Sequence, residues 1–391
     1  MDEFQNYNPQ QPGIFFQPPI QNVNPQGYAP PQQNTQEYPA YQPVGPTQPA
    51  YAPYPQQEYP QFGTQEYYMQ QIQVNQMRSK EKRQILSAGF AIGITLVINL
   101  IVQVVCVSAL ASAGLATKLD TSFVFQHAGN IIIVDLLGLV IPFFIMSLIM
   151  KKRFETPIVP SEKVGFVKTC AWVSAGLLVC LGGNIITNFV ISLFNNFGYE
   201  LKQFDSLSPT NPFECVLLVL STAVAPAICE EFAMRCASLG ILRRHGKAFA
   251  VVAVSIVFGL IHGNVIQFVF AFIIGLILAY VTIMTDSIVP AMLIHGLNNG
   301  LSVVQDIVTY AAGKEVGETV LGILMLVILV CGVIGLIYLG VKHQLVQKKE
   351  QNEVQPYQIG FFTKLALLIP GLFIPFAILI VETAATVVPI K

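Results

Sequence analysis

From Ile85 to the end of the chain the sequence is a succession of apolar runs, near residues 85–112, 131–150, 169–194, 213–242, 248–265, 266–285, 287–305, 319–341 and 361–388. Most reach the roughly 20 residues a helix needs to cross the hydrocarbon core of a bilayer. A backbone in lipid must satisfy its own hydrogen bonds, so such runs fold as helices. Only 11% of the 391 residues are charged and 53% are hydrophobic, whereas soluble domains carry about 25% charged residues. The expected fold is therefore all-α, a polytopic transmembrane bundle of eight or nine helices. Pro370 and Pro375 should kink the last span. The short Gly-, Asn- and Asp-marked turns between 248 and 305 leave open two full spans or a re-entrant segment in 266–305.

Residues 1–77 have a different composition. They hold 14 of the 25 prolines, 9 of the 14 tyrosines and no Lys or Arg. Such a segment cannot bury enough apolar surface to offset its backbone entropy, so it reads as a disordered tail with local polyproline II. QEYP recurs at 36–39 and 57–60, and Pro43, Pro46 and Pro49 give overlapping PxxP spacing. A cytoplasmic partner of the tail is one reading; a solvated tail with none is the plainer one. The acidic, polar N-terminus has no signal-peptide pattern. The transmembrane domain is then 78–391.

Basic residues orient the bundle. With the tail inside, 16 Lys and Arg fall on the inner side and 4 on the outer, with Arg235 inside a span. This split places the N-terminus in the cytoplasm and the C-terminus outside, in a multi-pass protein of the cell membrane. Nothing in the composition suggests a nucleic-acid partner. The seven cysteines all lie in or beside apolar runs without CxxC spacing, which reads as small core residues.

Within the fourth run, Glu230, Glu231 and Arg235 break the apolar pattern. Each such charge costs roughly 2.5–3.5 kcal/mol at the centre of a membrane helix. Glu231 and Arg235 are four apart and share a face, so they can pair. Glu230 points about 100° away and has no such partner. The fifth run adds Phe258 and His262, again four apart, and the seventh adds His295 and Asn299, whereas the other histidines, His127, His245 and His343, fall in predicted loops. Pro226, four before Glu230, frees a backbone carbonyl next to these groups. Counted at 1.5 Å per residue from the expected cytoplasmic ends of their helices, at Arg243, Lys247 and Asp286, Glu230, His262 and Asn299 lie roughly 20–22 Å deep and His295 roughly 14 Å. Asn298 is three, not four, residues from His295. Asp135 in the second run either meets a buried donor or sits at an aqueous edge. For Asn99, Gln103, Asn184, Asn188 and Gln267, helix association is the expected role.

Such a set supports hydrolysis. Glu230 with His262 beside it can take a proton from water, while His295 and Asn299 offer donors to the oxyanion of a tetrahedral intermediate. Glu231, paired with Arg235, fixes the helix, and Phe258 walls the cavity. The same carboxylates and imidazoles could instead hold zinc through Glu230, His262 and His295. A proton-coupled transporter or a non-enzymatic adaptor is the alternative class, although no internal repeat is evident.

The three motifs, Glu230-Glu231-Phe-Ala-Met-Arg235, Phe258-Gly-Leu-Ile-His262 and His295-Gly-Leu-Asn-Asn299, resemble those of the CPBP family. That family includes the type II CAAX prenyl proteases and the bacterial Abi proteins. The resemblance covers roughly residues 213–305. It implies an intramembrane endopeptidase acting on a membrane-bound, hydrophobic or prenylated peptide. It also implies water activation by the residues matching Glu230 and His262, and oxyanion stabilisation by those matching His295 and Asn299. The family is labelled both metalloprotease and metal-free glutamate protease, which leaves the cofactor open between Zn2+ and none. The HExxH zinc signature is absent.

Overall fold

A computed structural model describes residues 63–154, 162–201, 207–346 and 359–389. Ten helices make up almost all of it. They are α1 (Gln65–Ser112), α2 (Thr117–Thr121), α3 (Phe123–Lys152), α4 (Phe166–Asn196), α5 (Pro212–His245), α6 (Lys247–Leu260), α7 (Val265–Thr285), α8 (Val289–Ala312), α9 (Lys314–Val341) and α10 (Phe361–Thr386). A two-stranded antiparallel ribbon joins β1 (Tyr199–Leu201) to β2 (Val387–Pro389). The expected all-α polytopic bundle is what forms.

The helices differ in length and hydropathy. Among the described residues seven helices are long and apolar enough to cross a membrane: α1, α3, α4, α5, α7, α9 and α10. α6 has 14 residues, about 21 Å of rise against a core of about 30 Å. α8 has the length, at 24 residues, but its polar residues dilute its hydropathy. α1 also begins earlier than the tail boundary at residue 77 allows. Thr64 caps it by accepting a hydrogen bond from the Tyr67 amide at 3.2 Å, so residues 65–77 are helical. Residues 1–62, with their PxxP spacing, lie outside the described residues.

Successive long helices run between two ends, each marked by contacts. At one end Arg243 donates to Asp286 at 2.8 Å, and the Glu162 amide donates to the Asp286 carbonyl at 3.0 Å. Lys364 pairs with Glu81 at 3.2 Å and donates to the His245 carbonyl. The basic residues Lys80, Arg244 and Lys247 neighbour these contacts in sequence. At the other end the β1–β2 ribbon ties the loop after α4 to the C-terminus. Gln126 accepts there from the Leu207 amide at 3.1 Å.

Close helix packing rests on small residues, as expected where lipid removes the hydrophobic drive between helices. Gly89 and Gly93 of α1 lie against the backbone of Leu368 and Gly371 of α10; a methyl group at Gly93 would collide with the Gly371 carbonyl. Gly332 and Gly335 of α9 sit in the same way on Ser174 and Ala171 of α4. The lipid-facing side of α9 carries exposed Val330, Ile334, Ile337 and Val341. Cys170 and Cys331 are exposed too, whereas Cys180, Cys229 and Cys236 are buried, so only part of the cysteine set is core.

Candidate active site

α5 starts with a strong cap. Asn211 accepts from the Glu214 amide at 3.0 Å, Pro212 takes the first turn, and Glu214 accepts in return from the Thr210 amide at 2.7 Å. The helix then widens to π-type winding at Val219–Val224 and Phe232–Ser238. Such bulges change the facing of side chains and recur at functional sites. The first precedes Pro226, which has no N–H to give the Thr222 carbonyl four residues back. Asn299 supplies a donor instead: its Nδ2 lies 3.1 Å from that carbonyl.

This bond is one rung of an antiparallel packing between α5 and α8. Glu231 meets His295 at one level, Gly296 packs on Ala227 and the Ala223 carbonyl at the next, and Thr222 meets Asn299 beyond. Gly296 has room for little more than a hydrogen there: an added Cβ would lie 3.3 Å from the Ala227 Cβ. The H-G-L-N-N spacing thus gives two polar contacts on one face with a glycine between them.

The two carboxylates part as their 100° offset demands. Glu231 is completely buried, forms an ion pair with Arg235 at 3.0 Å from Nε and lies 3.0 Å from His295 Nδ1. A carboxylate can only accept, so His295 carries a proton on Nδ1. Arg235 is also fully buried, with its guanidinium carbon 5.0 Å from the centre of the Phe258 ring. Cation–π attraction in a dry setting contributes about 2 kcal/mol. Phe258 also meets the rings of His262 and His295 edge-on, with centroids 5.1 and 5.8 Å away. It is therefore a hub for three candidate residues as well as a wall.

Glu230 turns into a cavity of about 250 Å³, lined also by Pro226, Phe258, His262, His295 and Asn299. Its Oε2 is buried without a hydrogen-bond partner and lies 3.8 Å from His295 Nε2. The structure thus brings Glu230, His262, His295 and Asn299 to one space, with Glu231 and Arg235 behind it. Asn298 is buried away from that space and donates to Asn299 Oδ1 at 3.2 Å.

His262 departs from its expected place on a helix. α6 ends at Leu260, and His262 stands in the turn that leads to α7. Gly263 adopts a left-handed φ of +76°, and Asn264 caps α7 through the Gln267 amide at 3.0 Å, which together end the first helix. The ring is still oriented, because Nδ1 lies 2.8 Å from the Phe258 carbonyl. Since a carbonyl only accepts, Nδ1 carries the proton, and in the neutral ring Nε2 is left as the basic atom.

Four polar residues escape the motif reading. Ser221 and Thr222 line the cavity on the α5 bulge. His127, expected in a loop, is buried on α3 with Nδ1 2.7 Å from Ser221 Oγ and its ring 4.1 Å from that of Phe123. Asp135, one π-wound stretch further on, is buried and close enough to Glu230 and His295 to interact electrostatically. An intramembrane Ser or His on an apolar helix is the only sequence signal for these, and it names no partner.

Among the described residues no three His, Cys, Asp or Glu side chains converge in a way that would hold a metal ion. Of the three zinc candidates, His295 and His262 each engage Nδ1 within the protein, on Glu231 and on the Phe258 carbonyl, which leaves Nε2 as the atom either could offer.

The chain matches no curated protein and no solved structure. Residues 212–301, which hold every side chain of the three motifs, match the family model described as type II CAAX prenyl endopeptidase Rce1-like, the protease family that those motifs resemble.

Proposed function

We propose that this multi-pass membrane protein is an intramembrane endopeptidase that hydrolyses a peptide bond of a membrane-associated or C-terminally lipidated substrate. The observation that supports it best is the convergence of Glu230, His262, His295 and Asn299 on one cavity among apolar helices. A water held between Glu230 and His262 Nε2 gives a proton to the carboxylate as its oxygen attacks the carbonyl carbon. The C–O bond forms, the carbonyl oxygen takes the negative charge, and the C–N bond breaks as the departing amine receives the proton from Glu230.

The oxyanion needs donors. Asn299 spends one N–H on Thr222 and has a second. His295 already donates through Nδ1, so it can serve the oxyanion only with a second proton, on Nε2. Glu230, Glu231 and Arg235 sum to one negative charge, and an imidazolium at His295 brings the group to neutrality. Glu231 therefore holds His295 in place rather than meeting the substrate. No metal step is needed in this scheme.

The orientation we propose follows the basic residues, with the Glu81–Lys364 end in the cytoplasm. The test compares peptide termini in membranes from cells making the wild-type chain or Glu230→Gln at equal levels. Termini present only with Glu230 support proteolysis and identify the substrate. Identical termini under every condition would sink it and leave a carrier or adaptor role.

A further inference from the structure

A second cavity, of about 300 Å³, lies beside the first. Its walls come from α1, from the turn after α6 and from α10, so most of it lies outside residues 212–301. Polar groups from all three elements face it: Asn99 and Gln103, Asn264, and Glu382 with Thr386. Among the described residues His262 alone lines both cavities.

We infer that this second cavity is a hydrated antechamber that delivers water, the second substrate of the hydrolysis, to His262. The inference rests on the endopeptidase reading. One water is consumed for each peptide bond, its oxygen joining the carbonyl carbon and its protons ending on the new carboxyl and amine groups. A cavity of about 250 Å³ that is filled by the substrate's own chain leaves little passage for solvent. A separate supply has to end at a group that touches the reaction space, and His262 is that group.

The lining is suited to water. Leu96, Leu100, Leu260 and Ile378 form part of the wall, but a water needs only two to four polar partners. Here Gln103 donates to Asn99 on the same helix face, and Asn264 reaches Gln267 at 2.9 Å, so both walls offer amides fixed in place. Glu382 and Thr386 stand in the last turns of α10, next to the β1–β2 ribbon. The antechamber thus lies toward the end of the bundle away from Glu81 and Lys364. Thr383 accepts from the Val265 amide at 3.1 Å and pins α10 to the His262 turn. His262 fixes its own tautomer on a backbone carbonyl, which leaves Nε2 to accept a hydrogen bond from an arriving water.

The test uses the full chain in membrane vesicles. His262→Cys is exposed to a charged thiol reagent that does not cross bilayers, with the unsubstituted chain as control for native cysteines. We expect His262→Cys to react, and Gln103→Leu/Glu382→Leu to slow that reaction at least fivefold. No reaction, or a rate indifferent to the lining, overturns the antechamber whether or not the protein is a protease. With His262 intact, the double variant should lower kcat for a peptide identified by its Glu230-dependent cleavage, with KM within twofold. A raised KM at unchanged kcat would mean that the cavity holds peptide, and the proposal fails. Thr386→Phe, which fills the cavity without removing a polar pair, should reproduce the kcat effect if the double variant misfolds.

Discussion

Two buried clusters in this molecule use the same three kinds of group. One joins Glu231, Arg235 and His295; the other joins Glu81, Lys364 and His245, with His245 Nδ1 3.9 Å from Glu81. The first is drawn from two helices packed rung by rung, and its carboxylate and guanidinium are completely buried. The second ties three distant parts of the chain, α1, the end of α5 and α10, where the Glu81 and Lys364 side chains keep 12% and 9% of their surface exposed. What separates them is the neighbour. Beside the first stands Glu230, a second carboxylate with a buried, unpartnered oxygen facing a cavity. Beside the second, Glu81 itself lines a cavity of about 260 Å³ with His245, but Lys364 pairs with that carboxylate, the cations Lys80 and Arg244 line the same space, and no second carboxylate does. Composition alone does not make a reactive site; an unneutralised carboxylate at a cavity wall does.

The sharpest test of that contrast is Glu230→Gln. It keeps shape and one hydrogen-bonding oxygen but removes the base, so cleavage should fall by about 10²–10⁴-fold. The thermal midpoint in detergent should stay within a few degrees, because His295 keeps its closer carboxylate, Glu231, at 3.0 Å. A residual rate above a tenth of wild type would return Glu230 to a structural role.

Arg235→Met should act the other way round. It leaves the Glu231 carboxylate in a fully buried site without its cation, which costs about 3–5 kcal/mol. Unfolding in detergent should move to markedly lower temperature, and Glu231→Gln added to it should recover part of the loss. If the single and double variants unfold alike, the pair is not what holds α5. The corresponding variant of the second cluster, Lys364→Met, should cost less, about 2 kcal/mol, since water reaches both partners. Glu230-dependent cleavage should persist at the permissive temperature.

Much of this contrast was legible in the chain. Period and length marked the helices, and an i, i+4 reading paired Glu231 with Arg235 because both lie on one helix. The same rule misplaced His262, since Phe258 and His262 are four apart but a left-handed Gly263 and the Asn264 cap stop the helix between them. Local spacing also hid what depends on packing. The carbonyl opposite Pro226 was visible as a loose end, yet only the α5–α8 contact shows that Asn299 meets it. His245 and His127 looked like loop residues because their partners are 164 and 94 positions away. Gly89 and Gly93 were a readable small-xxx-small pair, but α10 as their partner was not.

The smallest expected effect concerns the outer rim of the reaction space, where His127 holds Ser221. Ser221→Ala removes the hydroxyl 2.7 Å from His127 Nδ1 and takes that partner from a buried ring nitrogen. That desolvation costs about 1–3 kcal/mol, and the Nε2 on the same ring is already unpartnered. Ser221→Thr keeps the hydroxyl and should restore stability. Activity should respond less than at Glu230, with kcat/KM down by less than about tenfold, because the hydroxyl stands more than two helical turns from that carboxylate along α5. If Ser221→Ala instead matches Glu230→Gln in lost cleavage while its stability is unchanged, the reactive carboxylate is not Glu230 alone. The serine and histidine would then belong to the chemistry, and the line between the reacting face and its supporting frame would have to be drawn one bulge further along α5.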